Sequence, residues 1–297
     1  GGIANLSFSR ASRSVMPNFA LLIPSLCPSV MLEPMSRVRL CWEVIATLAS
    51  SAALALMPLA WAFPLVWPHL TVAVGGITCP IFMIHILVKL RTAVPMHGLL
   101  NRNPTTVARN YLFSSIFVTD VLAGVAFPLT MIVSPHCTLL HLVALRHILT
   151  ATSTYEKILR MSHTTRRVLI LLLFSLVQMH WLSCTWSLLA DTDGSLRAQM
   201  RGLPINATDE LMPESWYTLF RTTLHAPPDS STWVIYLYSL YWTLATTTTI
   251  GFGDVIPANE IEVGILCVTI CVSALLYSAL IAYMSNLILA SDVNWTA

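Results

Sequence analysis

The nine residues TTTTIGFGD, at positions 246–254, decide the fold of this chain. They lie between an amphipathic run at 236–245 and an apolar segment that begins near residue 261. Gly251 and Gly253 stand one residue apart, and glycine adopts without steric cost the backbone dihedrals that other residues avoid. The spacing predicts a stretch whose backbone dihedrals matter more than its side chains. A plain glycine turn between two helices is the other interpretation of this spacing.

The order Thr-x-Gly-aromatic-Gly-Asp, which begins at Thr249, resembles the selectivity filter of potassium channels. In that family, rings of backbone carbonyl groups replace the hydration shell of the ion. The resemblance implies a filter built by Thr248, Thr249, Ile250, Gly251, Phe252 and Gly253. It also implies K⁺ ions held at Thr249, Ile250, Gly251 and Phe252. Because one chain supplies one strand of a four-stranded ring, the resemblance further implies a tetramer, in which this chain joins three further identical or related subunits.

The composition indicates a polytopic membrane protein. Apolar residues make up 56% of the 297 residues and charged residues only 10%. This is enough apolar length for about six spans of about 20 residues each. The basic residues concentrate in segments that the positive-inside rule places in the cytoplasm. We therefore expect a multi-pass protein of the lipid bilayer, in the plasma membrane, with both termini cytoplasmic and no nucleic-acid partner.

The predicted fold is all-α with six transmembrane helices. A cytoplasmic segment at 1–41 precedes a four-helix, voltage-sensor-like domain at 42–161, with spans near 42–67, 77–90, 111–133 and 139–159. A pore domain follows at 162–290, and a short C-terminal segment occupies 291–297. The parts of the pore domain are a fifth span at 168–190, a turret at 191–231, a pore helix at 232–247, a filter at 248–254 and a sixth span at 261–289.

Three motifs in the first 130 residues resemble the cyclic-nucleotide-binding-domain branch of voltage-gated-like channels. They are LEPMSRVRLCWEVI at 32–45, IFMIHILVKLRT at 81–92 and YLFSSIFVTDVLAGVAFP at 111–128. His85 stands where the family has an acidic residue. Asp120 is costly inside a membrane, so we expect it to contact a basic residue of the fourth segment or Arg109. That contact has two interpretations, a functional one and a purely stabilising one.

The fourth segment departs furthest from the family. A voltage sensor needs a basic residue at every third position of one helix, and this segment offers Arg146, with Lys157 and Arg160 near its cytoplasmic end. One charge gains only about 2.3 kcal/mol per 100 mV. The candidate sensor residues, Asp120 included, therefore predict weak voltage sensitivity or none.

The fifth span contains His-Trp-x-x-Cys at 180–184, which resembles the ether-à-go-go and cyclic-nucleotide-gated channels. The run is expected to pack against the pore helix. By the same resemblance, Tyr241 and Trp242 form an aromatic cuff around the filter, and Asp254 hydrogen-bonds to Trp242.

The sixth span is expected to line the inner cavity. Relatives often carry glycine where this chain has Ser273 and Ala282, and the candidates for the inner gate are Tyr283 and Leu287. In the turret, Asn206 begins a glycosylation sequon on the expected extracellular side. Cys79 and Cys137 both fall near the outer membrane face, so the sequence leaves open a disulfide between them.

The leading functional prediction is a potassium-selective channel that conducts K⁺ passively through a tetrameric pore. Its expected ligands are K⁺ ions alone, with no covalent cofactor, and any regulation by cyclic nucleotide is expected to lie outside this chain. An electrically silent or modulatory subunit that needs a heteromeric partner is the first alternative. A second alternative, from another class, is a polytopic membrane metalloenzyme with His85, His141 and His147 as ligands.

Overall fold

A computed structural model of the chain describes residues 31–64, 66, 69–96, 99–190, 215–224 and 231–295. Almost all of these residues are helical. The helices are α1 Arg37–Ala62, α2 Leu70–Leu90, α3 Pro104–Leu112, α4 Ser115–Ile132, a 3-10 helix Pro135–Val143, α5 Ala144–Leu159, α6 His163–Leu189, α7 Trp216–Leu224, α8 Thr232–Thr247 and α9 Glu260–Trp295. An antiparallel hairpin, β1 Val94–Met96 with β2 Leu99–Asn101, interrupts the expected all-α fold.

Five helices in the described residues are long and apolar enough to cross a membrane, against the six spans predicted. They are α1, α2, α4, α6 and the part Glu260–Asn286 of α9. The predicted fourth span is divided into a 3-10 helix and α5, which has 16 residues. Polar residues such as Arg146 and Thr150 lower the hydropathy of α5, while its opposite face, with Leu145 and Ile148, is buried.

The third span begins later than the sequence predicted. Instead of one helix from residue 111, the chain forms the short α3, turns at Phe113 and starts again with α4. The side chain of Ser114 caps α4 by accepting a hydrogen bond from the backbone N–H of Phe117 at 3.3 Å. Such a cap satisfies one of the free N–H groups at a helix start, so the boundary is fixed locally. The first, second and fifth spans, by contrast, begin earlier than predicted, at Arg37, Leu70 and His163.

Helices α1, α2, α4 and α5 meet α6 in a shared apolar core. Its buried members are Leu54, Phe82, Ala123, Ala144, Leu145, Ile148 and Trp181. Pro58 lies inside α1 and has no N–H, which leaves the carbonyl of Leu54 without its helical donor. The indole Nε1 of Trp181 donates to that carbonyl at 2.9 Å. A proline in the first helix thus provides the acceptor that ties α1 to α6.

The turn between α5 and α6 is held by one carboxylate. Arg160 ends α5 in the left-handed conformation, with φ of 51°. Glu156 forms an ion pair with Arg166, with 2.6 Å between Oε2 and Nε, and its Oε1 contacts His163 Nδ1 at 2.5 Å. The two helices are therefore joined across a sharp turn rather than through a continuous linker helix.

Cys79 and Cys137, which the sequence left open as a disulfide pair, are both free thiols in this structure. The Sγ of Cys79 instead donates to the carbonyl of Gly124 on α4 at 3.2 Å. The two cysteines therefore form no crosslink with each other, and Cys79 contributes a contact between α2 and α4.

Candidate functional site

Helix α8 leads directly into the stretch at 246–254. It begins at Thr232 and ends at Thr247, which are the bounds that the sequence predicted. After its end, the N–H groups of Ile250 and Gly251 both donate to the carbonyl of Ala245, at 3.0 and 2.9 Å. In a trans peptide the carbonyl points opposite to the N–H. The carbonyl groups of Thr249 and Ile250 therefore face away from α8.

The backbone of this stretch alternates between two conformations. Thr249, Gly251 and Gly253 have φ of 63°, 56° and 77°, whereas Ile250 and Phe252 have negative φ. A Cβ added to either glycine meets no atom within 4 Å in the single chain. The glycines are therefore required by their dihedrals and not by space. Thr249 adopts the same region at a cost of about 1–2 kcal/mol.

The large side chains of the stretch are exposed in the single chain. Ile250 is 60% exposed and Phe252 is 65% exposed. The ring of Phe252 stacks parallel to the ring of Tyr241, with 5.9 Å between centroids. One face of Phe252 is thus supported by α8, and most of the rest of its side chain is exposed.

Tyr241 and Trp242 support the stretch in different ways. The hydroxyl of Tyr241 donates to Asp254 Oδ2 at 2.8 Å, and Asp254 Oδ1 accepts from the N–H of Val255 at 3.1 Å. The prediction that Trp242 bonds Asp254 was wrong, because consecutive residues of a helix point about 100° apart. Trp242 faces α6 instead, where it stacks on Trp186 at 3.7 Å with an interplanar angle of 2°.

A buried cluster behind the stretch joins four segments, and the sequence reasoning did not single it out. Trp216 of α7 donates through Nε1 to the carbonyl of Trp186 at 2.9 Å. Glu262, at the start of α9, is fully buried and accepts from the N–H of Trp216 at 3.1 Å and of Ala258 at 2.7 Å. A carboxylate in the first turn of a helix is favoured by the helix dipole. Glu262 lies only two positions after the first residue of the apolar helix α9. An acidic residue at that position was the sequence signal that could have indicated its buried role.

His180 connects three helices. Its Nδ1 lies 2.9 Å from the hydroxyl of Tyr236 on α8, and its Nε2 lies 2.8 Å from the carbonyl of Ala55 on α1. Cys184 packs beside Tyr236 and Ile235 in a small buried cluster. The expectation that the His-Trp-x-x-Cys run packs against the pore helix is confirmed.

The predicted gate region lies on α9, which is one continuous helix past residue 273. Ser273 is buried, and its Oγ accepts from Nε2 of Gln178 on α6 at 3.0 Å. The guanidinium of Arg167 lies 6.0 Å from the ring centroid of Tyr283. The side chain of Leu287 lies outside the described residues, as does the whole of Asn206.

The sensor candidates do not come together as predicted. Asp120 accepts from Lys89 Nζ at 2.9 Å and from the hydroxyl of Tyr111 at 2.6 Å, both through Oδ2. The prediction of a partner from the fourth segment or of Arg109 was wrong, because Lys89 reaches Asp120 directly from α2. Arg146 donates to Ser115 Oγ at 3.1 Å. Lys157 and Arg160 are exposed at the end of the fourth segment.

The histidines of the metalloenzyme alternative are divided by the fold. His85 and His147 lie in contact, with ring centroids 4.0 Å apart, and Asp120 is beside them. His141 contacts the carbonyl of Thr138 in the 3-10 helix and is not part of that group.

Comparison with known proteins assigns the sequence to a family. The family model described as "Ion transport protein" matches residues 39–291. The chain belongs to this ion transport family. It is an integral membrane protein by family and by its apolar helices.

Similar proteins are potassium channels. The potassium voltage-gated channel unc-103 of Caenorhabditis elegans is 25% identical over 229 residues, which cover 70% of this chain and 25% of that protein. The voltage-gated inwardly rectifying potassium channel KCNH2 of Oryctolagus cuniculus is 26% identical over 211 residues, covering 70% and 17%. The corresponding channel KCNH7 of Mus musculus is 27% identical over 221 residues, with the same coverage.

The predicted resemblance to voltage-gated-like potassium channels of the ether-à-go-go type is thereby confirmed. The aligned part of this chain spans a quarter or less of the length of these relatives. Their names describe whole proteins, and this chain corresponds to their transmembrane part.

Proposed function

We propose that this chain is the transmembrane part of a potassium-selective channel subunit, and that residues 248–253 of four subunits form its filter. The observation that carries the proposal is the alternation of positive φ at Thr249, Gly251 and Gly253. With it, the peptide N–H groups turn toward α8 while the carbonyl groups of Thr249 and Ile250 face the other way. A line of such carbonyls is what a dehydrated K⁺ ion needs.

Subunit assembly is supported by the surface of the single chain. Beyond Ile250 and Phe252, α9 leaves Val268 65% exposed and Leu275 75% exposed. Exposed apolar side chains beside an ion pathway need cover from another subunit, and lipid covers those on the perimeter. We propose a tetramer of identical or related subunits in the plasma membrane, with cytoplasmic termini and a glycan at Asn206.

Weak voltage dependence is part of the proposal. In a working sensor, a buried acidic residue pairs with basic residues of a moving helix. Here Asp120 is paired with Lys89, which belongs to α2 and not to the fourth segment. The basic residues of the fourth segment are Arg146, which bonds Ser115 on α4, and Lys157 and Arg160 near its exposed end. We therefore propose that the four-helix domain has a structural role.

An electrically silent subunit is the second candidate, and one contact favours it. Ser273 replaces the glycine that relatives often carry, and its hydrogen bond to Gln178 holds α9 against α6. A helix held in this way resists the bending that opens a pore, so Tyr283 and Leu287 would remain a closed constriction in a homomer. Family membership favours transport over catalysis, and we propose no enzymatic activity.

The proposal is tested by ion flux from vesicles that contain the purified protein. Vesicles loaded with K⁺ should release it when a protonophore balances charge, and vesicles loaded with Na⁺ should not. Gly253→Ala should abolish the K⁺ flux because alanine is strained at φ of 77°. Gly264→Ala, on an open face of α9, should leave it intact. Equal release of both ions contradicts selectivity, and flux only after coexpression with a relative identifies a silent subunit.

A further inference from the structure

The sensor-like domain contains a group of buried side chains that the proposed function does not use. His85 of α2, Asp120 of α4 and His147 of α5 each offer one ligand atom, and these atoms lie within 4.8 Å of one another. The three residues are 1%, 8% and 5% exposed. Three separate helices thus direct metal-binding atoms to one point inside the bundle.

A second observation also indicates a ligand at this point. The Nε2 atoms of His85 and His147 are both buried and have no hydrogen-bond partner within the described part of the chain. Most buried polar atoms are paired, and an unpaired one costs about 1–3 kcal/mol. Two unpaired ring nitrogens beside one carboxylate are therefore a costly arrangement unless a further atom binds them.

From this arrangement we propose that His85, Asp120 and His147 form a binding site for a divalent transition-metal ion, with Zn²⁺ as the best fit. Two imidazoles and one carboxylate are a common zinc ligand set, with a fourth position open to water. Imidazole nitrogen is a poor ligand for Mg²⁺ and Ca²⁺, which prefer oxygen. Ligand atoms around tetrahedral zinc lie about 3.3 Å apart. Because the three ligand atoms lie within 4.8 Å of one another, each pair must approach by up to about 1.5 Å on binding.

The neighbouring groups permit this site with one rearrangement. Lys89 and Tyr111 both bond Oδ2 of Asp120, which leaves Oδ1 for the metal. The indole of Trp42 donates to Nδ1 of His85 at 3.2 Å, so the proton of the neutral ring is on Nε2. When the metal binds Nε2, that proton moves to Nδ1 and Trp42 loses its acceptor. Metal binding should therefore change the environment of Trp42.

A bound ion would link α2, α4 and α5 through coordinate bonds. The fourth segment would then be fixed to its neighbours at the level of Asp120. This inference concerns binding by the folded domain and does not depend on whether the pore conducts.

The direct test is metal content at equilibrium with buffered free Zn²⁺, measured by mass spectrometry on the purified full chain. Wild type should hold one more equivalent per subunit than His85→Gln or His147→Gln. His141→Gln is the matched control, because His141 is also buried but lies outside the group; it should bind as wild type does. Equal metal content in all four proteins overturns the site.

A second measurement uses only wild type and Trp42→Phe, so it does not depend on the folding of the histidine variants. Co²⁺ in a tetrahedral nitrogen and oxygen site gives a strong visible absorption band, whereas hydrated surface Co²⁺ gives a weak one. We expect the strong band in both proteins and a metal-dependent fluorescence change that Trp42→Phe reduces. A weak band alone, which indicates adventitious surface binding, overturns the site.

Discussion

Lys89 and Asp120 form an ion pair with 2.9 Å between Nζ and Oδ2, and both side chains are largely buried in the four-helix domain. The partner of the buried Asp120 carboxylate therefore comes from α2, and not from the fourth segment, which carries the charge in a voltage sensor. This relationship determines how the domain should respond to mutation and to voltage.

Removing one member of this pair should destabilise the protein strongly. Lys89→Met leaves a buried carboxylate uncompensated, for which we expect a loss of about 3–5 kcal/mol in the free energy of unfolding. The double variant Lys89→Met/Asp120→Asn should recover much of that loss. Thermal unfolding in detergent measures both. Arg109→Met is the control, since Arg109 is exposed and should change stability by about 0.5 kcal/mol or less. A double variant less stable than the single one contradicts the pairing.

Voltage dependence should be shallow. With Asp120 already paired to Lys89, the candidate gating charge of the fourth segment reduces to Arg146, because Lys157 and Arg160 lie at its exposed end. One charge moved through the whole field gains only about 2.3 kcal/mol per 100 mV, so we expect an effective gating charge of about one or less per subunit. Conductance–voltage curves of the expressed channel provide this value. A steep curve that requires several charges per subunit contradicts a structural role for the domain.

The hydrogen bond from Trp181 to Leu54 should matter only because of Pro58. Trp181→Phe leaves a buried carbonyl unpaired, for which we expect a loss of about 1–3 kcal/mol. Pro58→Ala returns an N–H to that carbonyl. In the Pro58→Ala background, the same Trp181→Phe change should therefore cost clearly less. Thermal unfolding of the four proteins forms a double-mutant cycle, and equal costs in both backgrounds contradict the link.

The support given to residues 248–253 by Asp254 should depend on the hydroxyl of Tyr241. Tyr241→Phe keeps the ring that stacks on Phe252 and removes only the donor to Asp254. We expect the K⁺ current of this variant to decline faster during sustained opening, because the chain after the filter loses a fixed contact. Tyr238→Phe, on the same helix, is the control and should behave as wild type. Unchanged current decline in Tyr241→Phe contradicts the support.

The sequence predicted those parts of the molecule that depend on local backbone chemistry. The bounds of α8 and the positive φ at Gly251 and Gly253 follow from residue types within a few positions of each other. The end of α3 at Leu112 was missed, although the Ser114 cap is also a local signal. The periodicity of apolar residues continues across that cap, so the sequence predicted one continuous helix where the structure has α3 and α4.

Contacts between distant segments could not be predicted in the same way. Whether Asp120 pairs with Lys89, Arg109 or Arg146 depends on the depth and rotation of each helix, and these are set by packing. The same holds for Glu262, which bonds Trp216 across 46 positions of sequence. The choice between Tyr241 and Trp242 for Asp254 depended on the rotation of a single helix. The residue types indicated which side chains would form polar contacts. Which of them bond to each other could be seen only from the packed helices.

The most direct test of the account is the reversal potential of single channels formed by the purified protein in a bilayer with K⁺ on one side and Na⁺ on the other. We expect current that reverses far from zero, at a potential that opposes K⁺ flow toward the Na⁺ side. This K⁺ current should be abolished in Gly253→Ala and kept in Gly264→Ala. Ohmic current that reverses at zero, with no preference for K⁺, would contradict the claim that residues 248–253 form a potassium filter.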